Sequence, residues 1–209
     1  MLKLREDIFL RFKKRYMSIY LLLFVLICMT SIHAESPVKY VDPFICTLGD
    51  HGQLYPGAVV PFGMVKLSPD TYPSSLTGNG NWAHSGYNYA DTKIRGFSHV
   101  RIGGAGGTKI YDRSWIFSLL PLSNSLQGKP QDWVAAIDKN QEQASPGQYH
   151  TFLSEHNIRV SLTVDKHTGF HRYIFPTSEN SCIIFGAGSP FRVKESSVEI
   201  IGDNALSGY

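Results

Sequence analysis

The stretch IRVSLTV, residues 158–164, constrains the fold more than any other feature. Ile158, Val160, Leu162 and Val164 alternate with Arg159, Ser161 and Thr163. Only extended backbone, whose side chains change face at every residue, gathers four branched apolar groups on one side. GFHRYIF (169–175) follows through the short turn DKHT, which predicts a hairpin. A hairpin alone does not hold in water, so further strands and a second layer are required. VKYVD (38–42) reads as a first short strand. AVVPFGMVKL follows a PG turn, with Pro61 marking an edge or a bulge. GFSHVRI, WIFSLLPL and GQYHTFL supply more. SCIIFGAG is a continuous apolar run of the kind expected of a central strand. FRVKESSVEIIGD reads as one strand or a hairpin, and ALSGY as the beginning of another. One segment, QDWVAAIDKNQEQ (131–143), has a helical pattern, ended by Pro146-Gly147. The fold class predicted is all-β, an antiparallel β-sandwich.

The N-terminus reads differently. Lys3, Arg5, Arg11, Lys13, Lys14 and Arg15 precede the apolar run SIYLLLFVLICM, and TSIHA ends on the small Ala34. Residues 1–34 are therefore read as a secretory signal peptide and 35–209 as one domain. The alternative, an uncleaved anchor, needs an apolar run of about 20 residues. Ile27 before Cys28 is bulky where a lipoprotein signal takes a small residue. A start at Met17 would remove the basic flank. The leader holds six Lys/Arg against two Asp/Glu, so it carries +4 of the chain's net +3 and leaves the remainder at −1. The positive charge thus gives no support to nucleic-acid binding. The remainder, exported, is expected to have no stable membrane span. It keeps two cysteines, Cys46 and Cys182. An oxidising compartment permits a disulfide between them, but their spacing does not decide it, and buried free thiols are expected.

Three loop-like segments hold the chemistry. In LGDHGQLYPG, Asp50 and His51 sit between Gly49 and Gly52, where backbone freedom lets a ligand approach. In NGNWAHSGYNYAD, Trp82 and His84 lie among Gly, Asn and Tyr. A flat ring there suits the apolar face of a pyranose, with Tyr87 or Tyr89 structural. In GFSHVRIGGAGGTKIYD, His99 and Arg101 precede a glycine run that includes Gly104. That run lacks the GK[ST] ending and following helix of a phosphate loop. Ser98, His99 and Asp112 do not make a triad, because adjacent strand residues point to opposite faces. The carboxylates Asp50, Asp70, Asp91, Asp112 and Glu142 remain unpaired at this level. On the residues alone, the chain is a ligand-facing β-domain without an identifiable catalytic set.

YVDPFICT, YPGAVVPFGMVKLSPDT, SGYNYAD, GFSHVRIGGAG, ASPGQY and GFHRYIFP occur in this order. Together they resemble the N-terminal domain of glycoside hydrolase family 92, the exo-acting α-mannosidases of Bacteroides-type bacteria, over roughly residues 38–209. The resemblance implies a β-sandwich joined to a C-terminal (α/α)6 barrel, with the active site between them. It implies a calcium-dependent, inverting reaction, in which one carboxylic acid protonates the leaving oxygen and one carboxylate activates water. Both carboxylates and most of the calcium site belong to the barrel, which this sequence does not contain. The chain is then expected to bind no calcium alone, to contribute no catalytic residue, and to read as a piece of something longer. Its partners would be mannose-containing glycans and the C-terminal domain. Its place would be the periplasm or cell surface of a bacterium. Asp50, His51, Trp82, His84, His99, Arg101 and Gly104 are the substrate-wall candidates. The family pattern has Gly at the position of Cys46, and HTHLSGTG where this chain has HVRIGGAG. A stand-alone carbohydrate-binding β-sandwich is the alternative, and a gene remnant without function is a third.

Overall fold

The computed structural model describes residues 13–22, 35–49, 53–73, 83, 85–101, 116–186 and 193–209. Residues 13–22 are helical. No described helix is long and apolar enough to cross a membrane. Met1–Pro37 and Val38–Tyr209 are separate units, and the following concerns the second.

The described residues of this unit form twelve strands: β1 (Ala58–Val59), β2 (Lys66–Tyr72), β3 (Lys93–Val100), β4 (Ile116–Leu122), β5 (Ala135–Ala136), β6 (Gln143–Ser145), β7 (Gln148–Leu153), β8 (Ile158–Val164), β9 (Gly169–Ile174), β10 (Cys182–Gly186), β11 (Val198–Ile201) and β12 (Ala205–Gly208). One sheet runs β1-β2-β3-β4-β10, with β5 also paired to β3, and a second runs β6-β7-β8-β9. Among the described residues every strand pair in both sheets is antiparallel. The apolar face of β8 behaves as its alternation requires: Ile158, Val160, Leu162 and Val164 are buried, while Arg159 and Thr163 face solvent.

That face meets Leu67, Ile94, Phe97, Leu120 and Leu122 of the first sheet in one core. Phe97 joins the layers directly, its ring centroid 6.3 Å from both Tyr149 and Tyr173. This is the antiparallel β-sandwich expected. Between Asp70 and Thr71 the register of β2 against β3 slips by one residue, opposite Gly96. Gly96 holds φ +154°, and a Cβ there would collide with the Ser118 hydroxyl. The bulge bends β3 and requires glycine.

Four local expectations are corrected. VKYVD forms no strand: Pro37–Tyr40 are an exposed 3-10 turn, closed by the Val41 N–H bonding the Val38 carbonyl at 3.1 Å. SCIIFGAG is not central. Among the described residues its strand β10 pairs with β4 alone and ends the sheet order, with Ile183 about half exposed. An unbroken apolar run does not by itself report how many neighbours a strand has. QDWVAAIDKNQEQ is not a helix but 3-10 turns at Pro130–Asp132 and Lys139–Gln141, flanking β5. Asp138 stops helical continuation: its backbone is extended and its carboxylate accepts from the Asn140 N–H. Ala135 and Ala136 instead take up sheet bonds against Ile94 and Lys93. The two cysteines are free, but Cys46 is exposed and Cys182 only half-buried. Pro61 sits in the turn between β1 and β2. FRVKESSVEIIGD and ALSGY resolve into the β11–β12 hairpin.

Cys46 holds φ +62°, a left-handed conformation that costs an L-residue about 1 kcal/mol. The glycine that the family pattern has here removes this strain. Because the Cys46 side chain is exposed, Cys46→Gly is expected to hold or raise the melting temperature in a thermal unfolding scan. Leu162→Ala, by contrast, is expected to remove about 2–5 kcal/mol in urea unfolding. Glu199→Ala on the exposed hairpin should change stability by less than about 0.5 kcal/mol.

Candidate functional site

The roots of the three predicted site loops converge at one end of the first sheet. β3 ends at Val100, and the next residue, Arg101, turns back beneath the loop layer and is fully buried. Its guanidinium donates to the carbonyls of Pro69 (3.1 Å), Ser85 (3.0 Å) and Ser68 (2.6 Å). It also donates to Asp70 Oδ1 and to Ser98 Oγ, both at 2.7 Å. The Tyr55 ring lies over it, 5.0 Å from centroid to Cζ. Ser85 Oγ donates to the Leu54 carbonyl at 2.8 Å. Residues 53–55, 85 and 101, which flank the segments carrying Asp50 and His51, Trp82 and His84, and Gly104, are therefore tied together. Those five candidates themselves lie outside the described residues.

A single cation thus satisfies three carbonyls and a carboxylate that would otherwise be buried alone. Burial pushes the Asp70 carboxyl above its ordinary range, while Arg101 and the Ser98 hydroxyl, 3.0 Å away, pull it back. Arg101, singled out as a site residue, has its two terminal nitrogens committed to the protein, and its Nε has no partner among the described residues.

His99 points the other way, between the sheets, as its adjacency to Ser98 requires. Its Nδ1 lies 2.6 Å from the Phe117 carbonyl and must carry the proton. Its Nε2 therefore accepts, and faces His171 Nε2 at 3.0 Å, which donates. His171 Nδ1 then accepts from the Tyr173 hydroxyl at 2.6 Å. Gly169 makes room: a Cβ there would stand 2.7 Å from His99 Cδ2. The chain of bonds needs both imidazoles neutral. Burial supplies this, lowering His99 and bringing His171 down to about 3, with His99 a further cause for His171. His99 is thus satisfied within the domain.

A third polar knot fixes the loop after Gly86. Glu142 Oε1 accepts from the Tyr87 and Tyr149 hydroxyls at 2.8 and 2.7 Å, and Oε2 meets Lys139 Nζ at 2.7 Å. Burial and the neighbouring Glu142 charge raise both phenols. Tyr87 is the structural tyrosine foreseen in this segment. Tyr89 stays partly exposed under the Lys139 ammonium, 4.8 Å from its centroid. Asp70 and Glu142 were legible as carboxylates but not as paired ones, because their partners lie 31 and 3 residues away in sequence.

Calcium fits none of this. Among the described residues no three His, Cys, Asp or Glu side chains group to hold a metal. The two buried carboxylates described above are already neutralised by Arg101 and Lys139. No step is derived through a metal.

A two-layer antiparallel sandwich, with the residues that flank three loops tied together at one end of its first sheet, defines a β-sandwich domain. The profile of the glycosyl hydrolase family 92 N-terminal domain matches residues 40–209, and the chain belongs to that family. A family GH92 alpha-mannosidase of solved structure from Bacteroides thetaiotaomicron superimposes with a TM-score of 0.69 at 28% identity, covering 82% of this chain and 23% of that one. The GH92 family glycosyl hydrolase ccman5 gives 0.69 at 26% identity, over 82% of this chain and 24% of that one. A sequence relative from Arthroderma benhamiae, described as an uncharacterized secreted glycosidase, is 27% identical over 169 residues, 78% of this chain and 20% of that protein. The chain thus spans under a quarter of the length of each.

Arg101→Ala is expected to cost about 3–5 kcal/mol in urea unfolding, because Asp70 is left charged and unpaired. Arg101→Lys keeps the charge but not the fork and should fall between. The histidines set a pH dependence. Unfolded, they bind protons near pH 6.5; folded, they do not until the pH falls toward about 3 for His171. Stability is therefore full above pH 6.5 and falls as the pH drops below it, by up to about 1.4 kcal/mol per unit for each histidine. His171→Phe should flatten this slope in melts between pH 7 and pH 4.

Proposed function

We propose that the chain is the substrate-facing N-terminal domain of an exported, calcium-dependent, inverting α-mannosidase acting on mannose-containing glycans. It works against a C-terminal (α/α)6 domain that supplies the catalytic carboxylates and the calcium. The observation that carries this reading is the family match over residues 40–209, together with the likeness to an alpha-mannosidase over 82% of the chain. One solved relative is described as a family GH92 inverting mannosidase, which supports the stereochemistry; it matches at 26% identity and a TM-score of 0.55. The basic-apolar-small leader and the secreted relative support export. The periplasm or cell surface of a bacterium is the compartment proposed.

In this reading Trp82, His84, Asp50, His51 and Gly104 stand on the loop face. Arg101 is a positioning residue that holds the loop roots in register. Tyr40, Ile45, Leu48, Phe62 and Met64, all exposed apolar residues within a stretch of 25, suit a surface that a second domain covers.

The purified chain, assayed with an aryl α-mannoside and calcium, is expected to show no turnover. Turnover by this chain alone would sink the reading. Mixing it with a barrel domain from a family 92 enzyme should restore hydrolysis, and Trp82→Ala should reduce that restored rate by about tenfold or more.

A further inference from the structure

At the end of the first sheet opposite Arg101 lies a cleft of about 670 Å³. Val100, beside Arg101, pairs with Ile116 at the start of β4, whereas the cleft opens at Leu122, the other end of that strand. Six steps along β4 separate the two ends by ~20 Å. The failed helix of residues 131–143 builds this place. Its first 3-10 turn delivers Trp133, which packs partly on the core and is fixed by Nε1 donating to the Gln127 carbonyl at 3.0 Å. His156 forms the floor. Its Nδ1 accepts from the Ser123 N–H at 3.3 Å, and burial holds it below its ordinary range, so it is neutral.

The lining selects a class of ligand. Asn124, Gln127 and Asn180 are exposed, and their side-chain amides engage no hydrogen bond among the described residues. Asp132 and Glu155 add acceptors, already oriented by the N–H groups of Lys129 (3.2 Å) and Ala136 (3.3 Å). Among the described residues no lysine or arginine lines the cleft. Phosphates and acidic polymers would meet only negative charge. A neutral polyhydroxyl chain would find what it needs: fixed acceptors, amides able to donate and accept at once, and an indole for its C–H face. The volume falls in the roughly 300–1,000 Å³ range of small-molecule sites.

We propose that this cleft is a binding subsite for a neutral oligosaccharide, an α-linked mannan chain, remote from the loop face. The choice of mannan rests on the mannosidase reading. A second foothold of this kind raises the local concentration of glycan ends at the loop face without entering the chemistry.

Native gel electrophoresis of the chain through soluble α-mannan tests it, with dextran and an oligolysine peptide as comparison additives. Mannan is expected to retard the chain, and the double change Asn124→Ala with Asn180→Ala to weaken retardation about fivefold or more. Both residues are exposed, so the fold should survive, as an unchanged melting temperature would show. Trp133→Phe should abolish any mannan-induced change in tryptophan emission from this site. Absence of retardation, retardation unchanged in the double variant, or a response to oligolysine alone would each overturn the proposal. A chain that neither hydrolyses nor binds mannan refutes the cleft only. A chain that hydrolyses an α-mannoside unaided refutes the functional reading only.

Discussion

The Arg101 guanidinium holds the loop layer onto the first sheet. β2 is buried on both faces along Leu67–Thr71, which is unusual for a strand carrying Ser68 and Asp70. Its inner face meets the second sheet. Its outer face is covered by residues 53–57 and 85–91, and Arg101 ties the Ser85 carbonyl of that layer to the Ser68 and Pro69 carbonyls of β2. One planar cation with five N–H groups answers several carbonyls and a carboxylate at once, which an ammonium does not do. The Thr71 N–H bonds the Gly86 carbonyl at 2.9 Å, and the Tyr89 N–H bonds the Thr47 carbonyl at 2.9 Å, extending the same layer. The described layer over β2 is thus held by buried polar bonds.

The two histidines play the corresponding part between the sheets. An imidazole pair at 3.0 Å, oriented at one end by a carbonyl and at the other by a phenol, is directional in a way that Phe97 against Tyr149 is not. It fixes β9 laterally against β3. It also makes the sandwich sensitive to acid, since a proton on either acceptor nitrogen removes one bond of the chain. Stability and function therefore occupy different groups in this domain. The described residues with the most perturbed acid–base behaviour hold structure.

Legibility followed physical range. The hairpin β8–β9 was readable because period-two alternation is local and its turn is short. β3, β4 and β7 were readable for the same reason. The helix assigned to 131–143 failed because apolar spacing there served two tertiary demands instead, Ala135 and Ile137 entering the core and Trp133 lining a cleft. β10 was misjudged because an apolar run reports burial, not the number of neighbours. Among the substrate-wall candidates, His99 and Arg101 are the two whose surroundings are described. That they face opposite sides of the strand region, one toward β9 and one beneath the loops, depended on contacts 72 and 31 residues distant. Trp133 gave a signal, an aromatic beside Asp and Gln, that the helical reading concealed.

The sequence by itself determined the all-β class, the main hairpin and the family, because these depend on local periodicity, turn chemistry and ordered motifs. Only the tertiary structure decided which polar residues hold the fold and which remain available. A carboxylate, an imidazole or a guanidinium has the same letter whether it is buried against a partner or open to a ligand. The difference lies in distances of about 3 Å between residues far apart in the chain.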